Sequence, residues 1–242
     1  MTARASESLR VLSAGAAQGL VTAVAPRFLA DTGVALHTTF GAVGAIREKL
    51  FAGEQCDVLI LTAAMLDELA AGGRVVTATH KALGQVRTGI GVRASDALPD
   101  IKDRAALERS LRAATDIFLP DPQRATAGIH FKRVLEQLGI FADVAPRLRP
   151  HPNGATAMRA MAQSSGTAPI GCTQITEIKY ADGVTLVGPL PKEFELATVY
   201  SVAVWADARQ PEIAQRFARL LAGPESDNFR AEAGFEGDVP LC

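Results

Sequence analysis

Hydrophobic positions in the first third of the chain alternate between short apolar runs and segments with helical spacing. The apolar runs predict strands at residues 9–12, 34–40 and 58–61. A segment with helical spacing follows each run, and Gly33 is placed to end the first of these helices. Strands that alternate with helices need crossover connections, so this pattern predicts a parallel sheet with helices on both faces.

The same alternation restarts after residue 83. It predicts strands at 84–93, 116–119, 168–172 and 184–186, and helices at 104–114, at 127–138 and from Asn153 onward. A last strand at 198–205 and a last helix at 211–221 follow, and we expect both to return to the first lobe. The sequence therefore predicts an α/β fold of two interleaved lobes with a hinge and an inter-lobe cleft: lobe 1 from 9–83 and 196–242, lobe 2 from 84–195.

Composition and charge limit the classes of protein to which this chain can belong. Of the 242 residues, 48% are hydrophobic and 21% are charged, which is typical of a soluble globular protein. The net charge of −1 excludes a general nucleic-acid binder, which needs a basic surface. No apolar run is long enough for a membrane span, and the first residues lack a secretory signal, so the sequence as written predicts a cytoplasmic protein. If a native signal has been removed, the prediction becomes periplasmic, with an ABC permease as partner.

Neither a cofactor nor a metal is expected. Cys56, Cys172 and Cys242 lie too far apart for a zinc motif, and their odd number excludes a complete disulfide framework. The glycine-rich signatures of dinucleotide and nucleoside triphosphate sites are absent from the sequence. The chemistry must therefore come from the protein's own side chains and backbone.

Four predicted strand-to-helix junctions share small, mostly uncharged residues: 13–16, 41–44, 124–128 and 153–156. The first N–H groups of a helix lack partners within the helix and carry partial positive charge, so such junctions can hold an anion. The alternative is structural, because small residues also suit tight turns and helix caps. The candidate ligands from these junctions and from the predicted helix cap at Thr62 are Ser13, Gly15, Ala42, Val43, Thr62, Arg124, Thr126, Ala127 and Thr156.

The sequence resembles the molybdate-binding proteins of ABC importers, which have the type II periplasmic-binding fold. Three runs carry the resemblance: LRVLSAGAAQGLVTAVAPRFLADTGVALHTTFGAVGAIREKLFAGEQCDVLIL, PDPQRATAGIHFKRVLEQLGI and API-GCTQITEI. The resemblance implies two lobes that close on a small anion held by hydroxyls and backbone amides. By position it implies ligand roles for Ser13, Ala42, Val43, Ala127, Thr156 and Gln174.

Two departures from that family change the expected ligand. Residues 41–44 offer amides where the family has a serine cluster, and Gln174 stands where the family usually has a tyrosine. Losing hydroxyl donors weakens the case for a tetrahedral oxyanion, whereas Arg124 and Gln174 suit a planar carboxylate. The apolar Ala42 and Val43 would pack against a short carbon chain. We therefore expect a small-anion binding protein, with an organic carboxylate preferred over a metal oxyanion.

A second hypothesis is a cytoplasmic isomerase of an unsaturated carboxylic acid, of the aconitate isomerase type, because relatives of this fold have that activity. Such a reaction needs a base to move a proton, and Cys172, His130, His151 and Ser13 are the candidates. Each has a structural alternative: a core position for Cys172, a solvated helix for His130 and a loop for His151. A ligand-sensing partner protein of the cytoplasm is a third hypothesis.

Asp57 opens the third predicted strand, at a position where the family carries an aspartate. We interpret it as a hydrogen-bond acceptor for loop amides, with a role in ligand binding as the alternative. The two interpretations differ in whether the carboxylate is engaged by the backbone or left for a ligand.

Overall fold

The computed structural model describes residues 8–237. Its strands are β1 (Leu9–Ala14), β2 (Leu36–Gly41), β3 (Val58–Thr62), β4 (Lys81–Arg93), β5 (Ile117–Pro120), β6 (Leu148–His151), β7 (Ile170–Gln174), β8 (Val184–Pro189) and β9 (Ala197–Val204). Its helices are α1 (Gln18–Thr32), α2 (Val43–Phe51), α3 (Ala63–Ala71), α4 (Arg104–Ala113), α5 (Thr126–Gln137), α6 (Phe141–Val144), α7 (Gly154–Ala162), α8 (Ile175–Tyr180), α9 (Pro211–Ala222) and α10 (Asp227–Ala233). The alternation of strands and helices that the sequence predicts is thus confirmed.

The chain divides into two compact units. Among the described residues, the first unit comprises 8–40, 46–85 and 199–237, and the second comprises 41–45 and 86–198. The strands β4 and β9 each contribute residues to both units. The sequence placed residues 41–45 in lobe 1, but in the structure this segment belongs to the second unit.

The first unit is built on β1 and β3, which pair in parallel, with β2 beside β1. On the other side of β3 lies β9, which runs antiparallel to it. The chain enters β9 from the second unit and not through a βαβ crossover from β3, so the strand is free to run in the opposite direction. Helix α1 packs on α9 through Phe28 and Phe217, whose ring centroids are 4.9 Å apart. As predicted, Gly33 ends α1 in a left-handed conformation, with φ at 69°.

The second unit has a mixed sheet with apolar side chains buried on both faces. Strand β5 pairs in parallel with β6 and β7, while β4 pairs antiparallel with β7 and β8. Ile117 and Leu119 of β5 join a cluster with residues of α4, α5 and α6, whereas Phe118 joins a cluster with residues of α7 and α8. This alternation follows from the pleat of a strand, and it places helices on both sides of the sheet.

The sequence analysis missed four short elements: α6, β6, α8 and α10. The three helices have four to seven residues, too few for a helical repeat of apolar positions to be recognised, and β6 contains a proline in its four residues. His151, expected in a loop, is the last residue of β6. Within residues 8–237, no helix is both long and apolar enough to cross a bilayer, and no group of three His, Cys, Asp or Glu residues is placed to hold a metal ion.

Candidate functional site

Four of the residues predicted to bind the ligand lie at one edge of the sheet in the second unit. The parallel strands β5, β6 and β7 end at the same edge, and α5, α7 and α8 begin just beyond it. This topology gathers Arg124 and Thr126 at the start of α5, Thr156 in the first turn of α7, and Gln174 at the end of β7. The carboxyl ends of parallel strands are where α/β sheets bind ligands.

Helix α5 begins with its positive end uncapped by any side chain. Asp121 accepts hydrogen bonds from the backbone N–H groups of Gln123 (2.7 Å) and Arg124 (3.2 Å), and so shapes the turn before the helix. Gly128 packs so tightly that an added Cβ would lie 2.4 Å from the carbonyl oxygen of Asp121. The first N–H groups of α5, including that of Ala127, are therefore held close to the end of β5, where a helix dipole favours an anion.

The segment Gly41–Ala45 packs against Arg124. The N–H of Gly44 donates to the carbonyl oxygen of Arg124 at 3.0 Å, and a Cβ at Gly44 would lie 3.1 Å from the same oxygen. This contact explains why the segment belongs to the second unit. It also brings the buried Ala42 and Val43, two predicted ligands from a distant part of the sequence, next to the α5 junction.

The backbone N–H groups at the start of α7 were expected to be free for a ligand, but they already have hydrogen-bond partners. The Asn153 side chain accepts from the N–H of Thr156 at 2.9 Å, and Glu177 accepts from the N–H of Gly154 at 3.1 Å. The backbone of Ala155 also donates to Glu177. These N–H groups bind the protein's own side chains, so the contribution of this junction to a ligand falls to the Thr156 hydroxyl.

Glu177 is the residue of this edge that the sequence analysis missed. Its side chain is buried, and Thr173 Oγ1 donates to its Oε2 at 2.5 Å. Burial raises the pKa of Glu177, while the hydroxyl of Thr173 and the backbone N–H groups lower it. Glu177 also accepts from the N–H of Gln174, the residue that caps α8. A glutamate three residues after a helix cap is a known capping pattern, and it is the sequence signal that could have identified Glu177.

In the first unit, the remaining residues predicted to bind the ligand lie at the ends of the parallel strands β1 and β3. Ser13 is fully buried, and its hydroxyl donates to the carbonyl oxygen of Ala14 at 2.9 Å. Gly15 begins a buried 3₁₀ turn that leads into α1. Thr62 caps α3 by accepting from the N–H of Met65 at 3.4 Å, which is the structural role considered for it. Ligand contacts by these three residues stay predictions.

The candidate bases occupy structural positions. Cys172 is fully buried in the apolar core of the second unit, and burial raises the pKa of its thiol well above the ordinary value. His130 Nε2 lies 2.8 Å from the carbonyl oxygen of Phe194. His151 stacks on Phe118, with ring centroids 5.9 Å apart, and burial lowers its pKa. These contacts give all three side chains structural roles, but only Cys172 has the one that was expected: His130 is hydrogen-bonded and not simply solvated, and His151 ends a strand instead of lying in a loop.

The interpretation of Asp57 as an acceptor for loop amides is confirmed. Its carboxylate, which is 2% exposed, accepts from the backbone N–H groups of Arg10 (2.9 Å), Arg209 (2.8 Å) and Gln210 (3.3 Å). A carboxylate that accepts three backbone hydrogen bonds has little capacity left for a ligand.

Comparisons with known proteins agree with this architecture. The chain matches the bacterial extracellular solute-binding protein family over residues 9–236. It is 29% identical to an aconitate isomerase from Pseudomonas sp., covering 98% of this chain and 90% of that protein. It is 23% identical to the molybdate-binding protein ModA of Escherichia coli (strain K12), covering 94% and 88%. The periplasmic molybdate-binding protein of Azotobacter vinelandii superposes with a TM-score of 0.78 at 18% identity, over 96% of this chain and all of that one.

The superposition confirms the type II periplasmic-binding fold that the sequence predicted. The family match extends over nearly every residue that the structure describes. This chain therefore belongs to the bacterial extracellular solute-binding protein family, and it is similar to molybdate-binding proteins.

Proposed function

We propose that this protein binds an unsaturated di- or tricarboxylate of the aconitate class at the β5–β7 edge of the second unit. The observation that supports the proposal is the hydrogen bond from Gly44 to the backbone carbonyl of Arg124, which brings the segment of Ala42 and Val43 next to the start of α5, a helix without a side-chain cap. This combination suits a ligand that has both a carboxylate and a carbon chain.

The polar part of the proposed site favours a planar anion. Arg124 is exposed, and a guanidinium presents two parallel N–H groups that match the two oxygens of a carboxylate. The N–H groups at the start of α5 add donors that need no side chain. Gln174 and Thr156 lie at the same edge and supply an amide and a hydroxyl for a second carboxylate.

The apolar part of the proposed site disfavours a tetrahedral oxyanion. An oxyanion such as molybdate presents oxygens in every direction, so each wall of its site must donate hydrogen bonds. Ala42 and Val43 offer methyl groups, which instead gain free energy by covering a carbon chain. The 29% identity to an aconitate isomerase over almost the whole chain supports the same class of ligand.

Calorimetric titration of the full chain with cis-aconitate, trans-aconitate, citrate, molybdate and sulfate tests this proposal. We expect at least one carboxylate to bind more tightly than either oxyanion. Arg124→Ala should weaken that binding by about 10-fold or more, the range for a hydrogen-bonded charge. Arg133→Ala is the matched control, since it removes an exposed arginine from the body of α5 and should leave the affinity unchanged. Tighter binding of molybdate than of every carboxylate would overturn the proposal.

The same titration tests Ser13, one of the residues of the first unit that are predicted to bind the ligand. Ser13→Ala keeps the small buried volume and removes the hydroxyl. If Ser13 contacts the ligand, the affinity falls while the melting temperature of the free protein changes little. If the affinity is unchanged, Ser13 is not a ligand.

Isomerisation of the bound acid is a second candidate function, favoured by the identity to an aconitate isomerase. In such a reaction a base removes a proton from the carbon next to the double bond, and a proton returns at the other end of the allylic system. NMR spectra in deuterated water separate the two functions. An isomerase converts one aconitate isomer into the other and introduces deuterium, whereas a binding protein that serves a permease leaves the acid unchanged.

A further inference from the structure

The first unit holds a cavity of about 390 Å³ that the proposed function does not use. Its lining includes three arginines, Arg10, Arg74 and Arg209, together with Trp205 and Asp57. A volume of this size lies within the range for small-ligand sites.

The cavity lies at the opposite edge of the sheet from the residues of this unit that are predicted to bind the ligand. Arg10 is near the start of β1 and Asp57 directly precedes β3, whereas Ser13 and Thr62 are near the ends of these two parallel strands. Trp205 directly follows the antiparallel strand β9, so it lies at the same edge as Asp57. A ligand in this cavity would therefore be separate from one at Ser13.

Asp57 fixes the backbone around the cavity. Besides the hydrogen bonds from Arg10 and Arg209 to its carboxylate, its N–H donates to the carbonyl oxygen of Arg10 at 2.8 Å. Its own carbonyl oxygen accepts from the N–H of Trp205 at 2.9 Å. The carbonyl oxygen of Arg74 accepts from the N–H of the next residue after Trp205, Ala206, also at 2.9 Å. The three arginines thus extend from segments whose backbones are tied together.

The lining carries three arginines and three carboxylates, those of Glu54, Asp57 and Asp207. Within residues 8–237, none of the guanidiniums of Arg10, Arg74 and Arg209 forms an ion pair, and all three residues are exposed. Glu54 pairs with Lys49 at 2.9 Å, and the Asp57 carboxylate accepts from backbone N–H groups, which leaves Asp207 as the lining carboxylate able to pair with one of the three arginines.

We propose that this cavity binds a compact trianion through Arg10, Arg74 and Arg209. Two classes of molecule have this chemistry, a diphosphate and a tricarboxylate, and arginine can bind the oxygens of both phosphate and carboxylate groups in a bidentate geometry. Three arginines along the lining of one cavity favour a ligand with several anionic groups over a single phosphate or acetate. The proposal concerns residues outside the β5–β7 edge, so it does not depend on the proposed function.

Trp205 gives a direct readout, because it is the only tryptophan of the chain. Its fluorescence should change saturably when inorganic pyrophosphate or citrate is titrated into the full chain at low salt. The titrations are made in an Arg124→Ala background, which reduces the binding of citrate at the β5–β7 edge. A response to pyrophosphate identifies the diphosphate class, and a response to citrate identifies the tricarboxylate class.

Variants connect the response to the arginines. Arg10→Ala, Arg74→Ala and Arg209→Ala should each weaken binding by about 10-fold, and the triple variant should abolish it. These substitutions keep the fold because the hydrogen bonds to Asp57 come from the backbone of Arg10 and Arg209. Arg216→Ala is the control, since it removes an exposed arginine of the same unit from outside the cavity. The proposal is overturned if neither anion gives a saturable change, or if the triple variant responds as the parent does.

Discussion

The backbone N–H of Gly154 donates to Oε1 of Glu177 at 3.1 Å, and a Cβ on Gly154 would lie 2.0 Å from Oε2 of the same carboxyl group. Glycine is needed here because the start of α7 sits directly on a buried acid. The contact joins α7 to α8, the two helices that follow β6 and β7. It therefore holds Thr156 and Gln174 at fixed positions on the sheet edge.

Gly154→Ala should lower the free energy of unfolding by about 2–3 kcal/mol, since the new methyl group must displace the carboxyl of Glu177 and the hydroxyl of Thr173. Denaturation in urea measures the change. Gly72→Ala is the matched control: Gly72 has φ at −84°, and its nearest neighbours would lie 3.6 Å from an added Cβ. An equal loss in both variants would show that Gly154 has no special steric requirement.

The stability of the protein should depend on pH through Glu177. Burial raises the pKa of this carboxyl above its ordinary value of 4.5, so the folded state holds the proton more tightly than the unfolded state does. This contribution is fully present below the ordinary value and is lost as the pH rises through the raised pKa. The free energy of unfolding should therefore fall across that window.

Glu177→Gln tests this assignment, because the amide keeps an acceptor for the N–H of Gly154 and cannot ionise. Urea denaturation at several pH values should give a flatter profile for the variant over the same window. Glu212→Gln, which changes an exposed acid in α9, should keep the profile of the parent. If the Glu177→Gln profile matches that of the parent, the pH dependence comes from another group.

Asp57→Ala should lower the free energy of unfolding by about 2–4 kcal/mol. The substitution leaves three backbone N–H groups, those of Arg10, Arg209 and Gln210, without their charged acceptor. Asp207→Ala, at an exposed aspartate that lines the same cavity, should change the unfolding free energy by no more than about 0.5 kcal/mol. A loss below about 1 kcal/mol for Asp57→Ala would contradict the role assigned to its hydrogen bonds.

The thiols of Cys56 and Cys172 should be unreactive in the folded protein. Burial raises the pKa of Cys56 to about 12 and that of Cys172 well above its ordinary value, and the thiolate is the reactive form. In a Cys242→Ser variant, a thiol reagent should label neither residue until denaturant is added. Rapid labelling of Cys172 in the folded state would restore it as a candidate base.

A direct test of the same point is Cys172→Ala. If Cys172 belongs to the core alone, the variant should lose stability but bind carboxylates with unchanged affinity and, if the parent is an isomerase, keep its activity. Loss of isomerisation with intact binding would instead assign the thiol a chemical role. Titration calorimetry and the NMR exchange experiment separate these outcomes.

The sequence by itself determined the elements and the family. Apolar runs with strand or helix periodicity located most of the strands and helices, and Gly33 and Pro211 marked the end and the start of two of them. Such signals are local, because each depends on the conformation and burial of residues close together in the chain. The chemical character of the junctions, small and rich in backbone N–H groups, was readable for the same reason.

The tertiary structure decided which junctions are open to a ligand. The N–H groups at the start of α7 looked equivalent to those of α5, but a carboxyl group 23 residues later in the chain occupies them. Likewise, the contact of Gly44 with Arg124 joins segments from distant parts of the sequence. Hydrogen bonds between such segments depend on how the strands order and pack in the sheet, and that arrangement leaves no periodic signal along the chain.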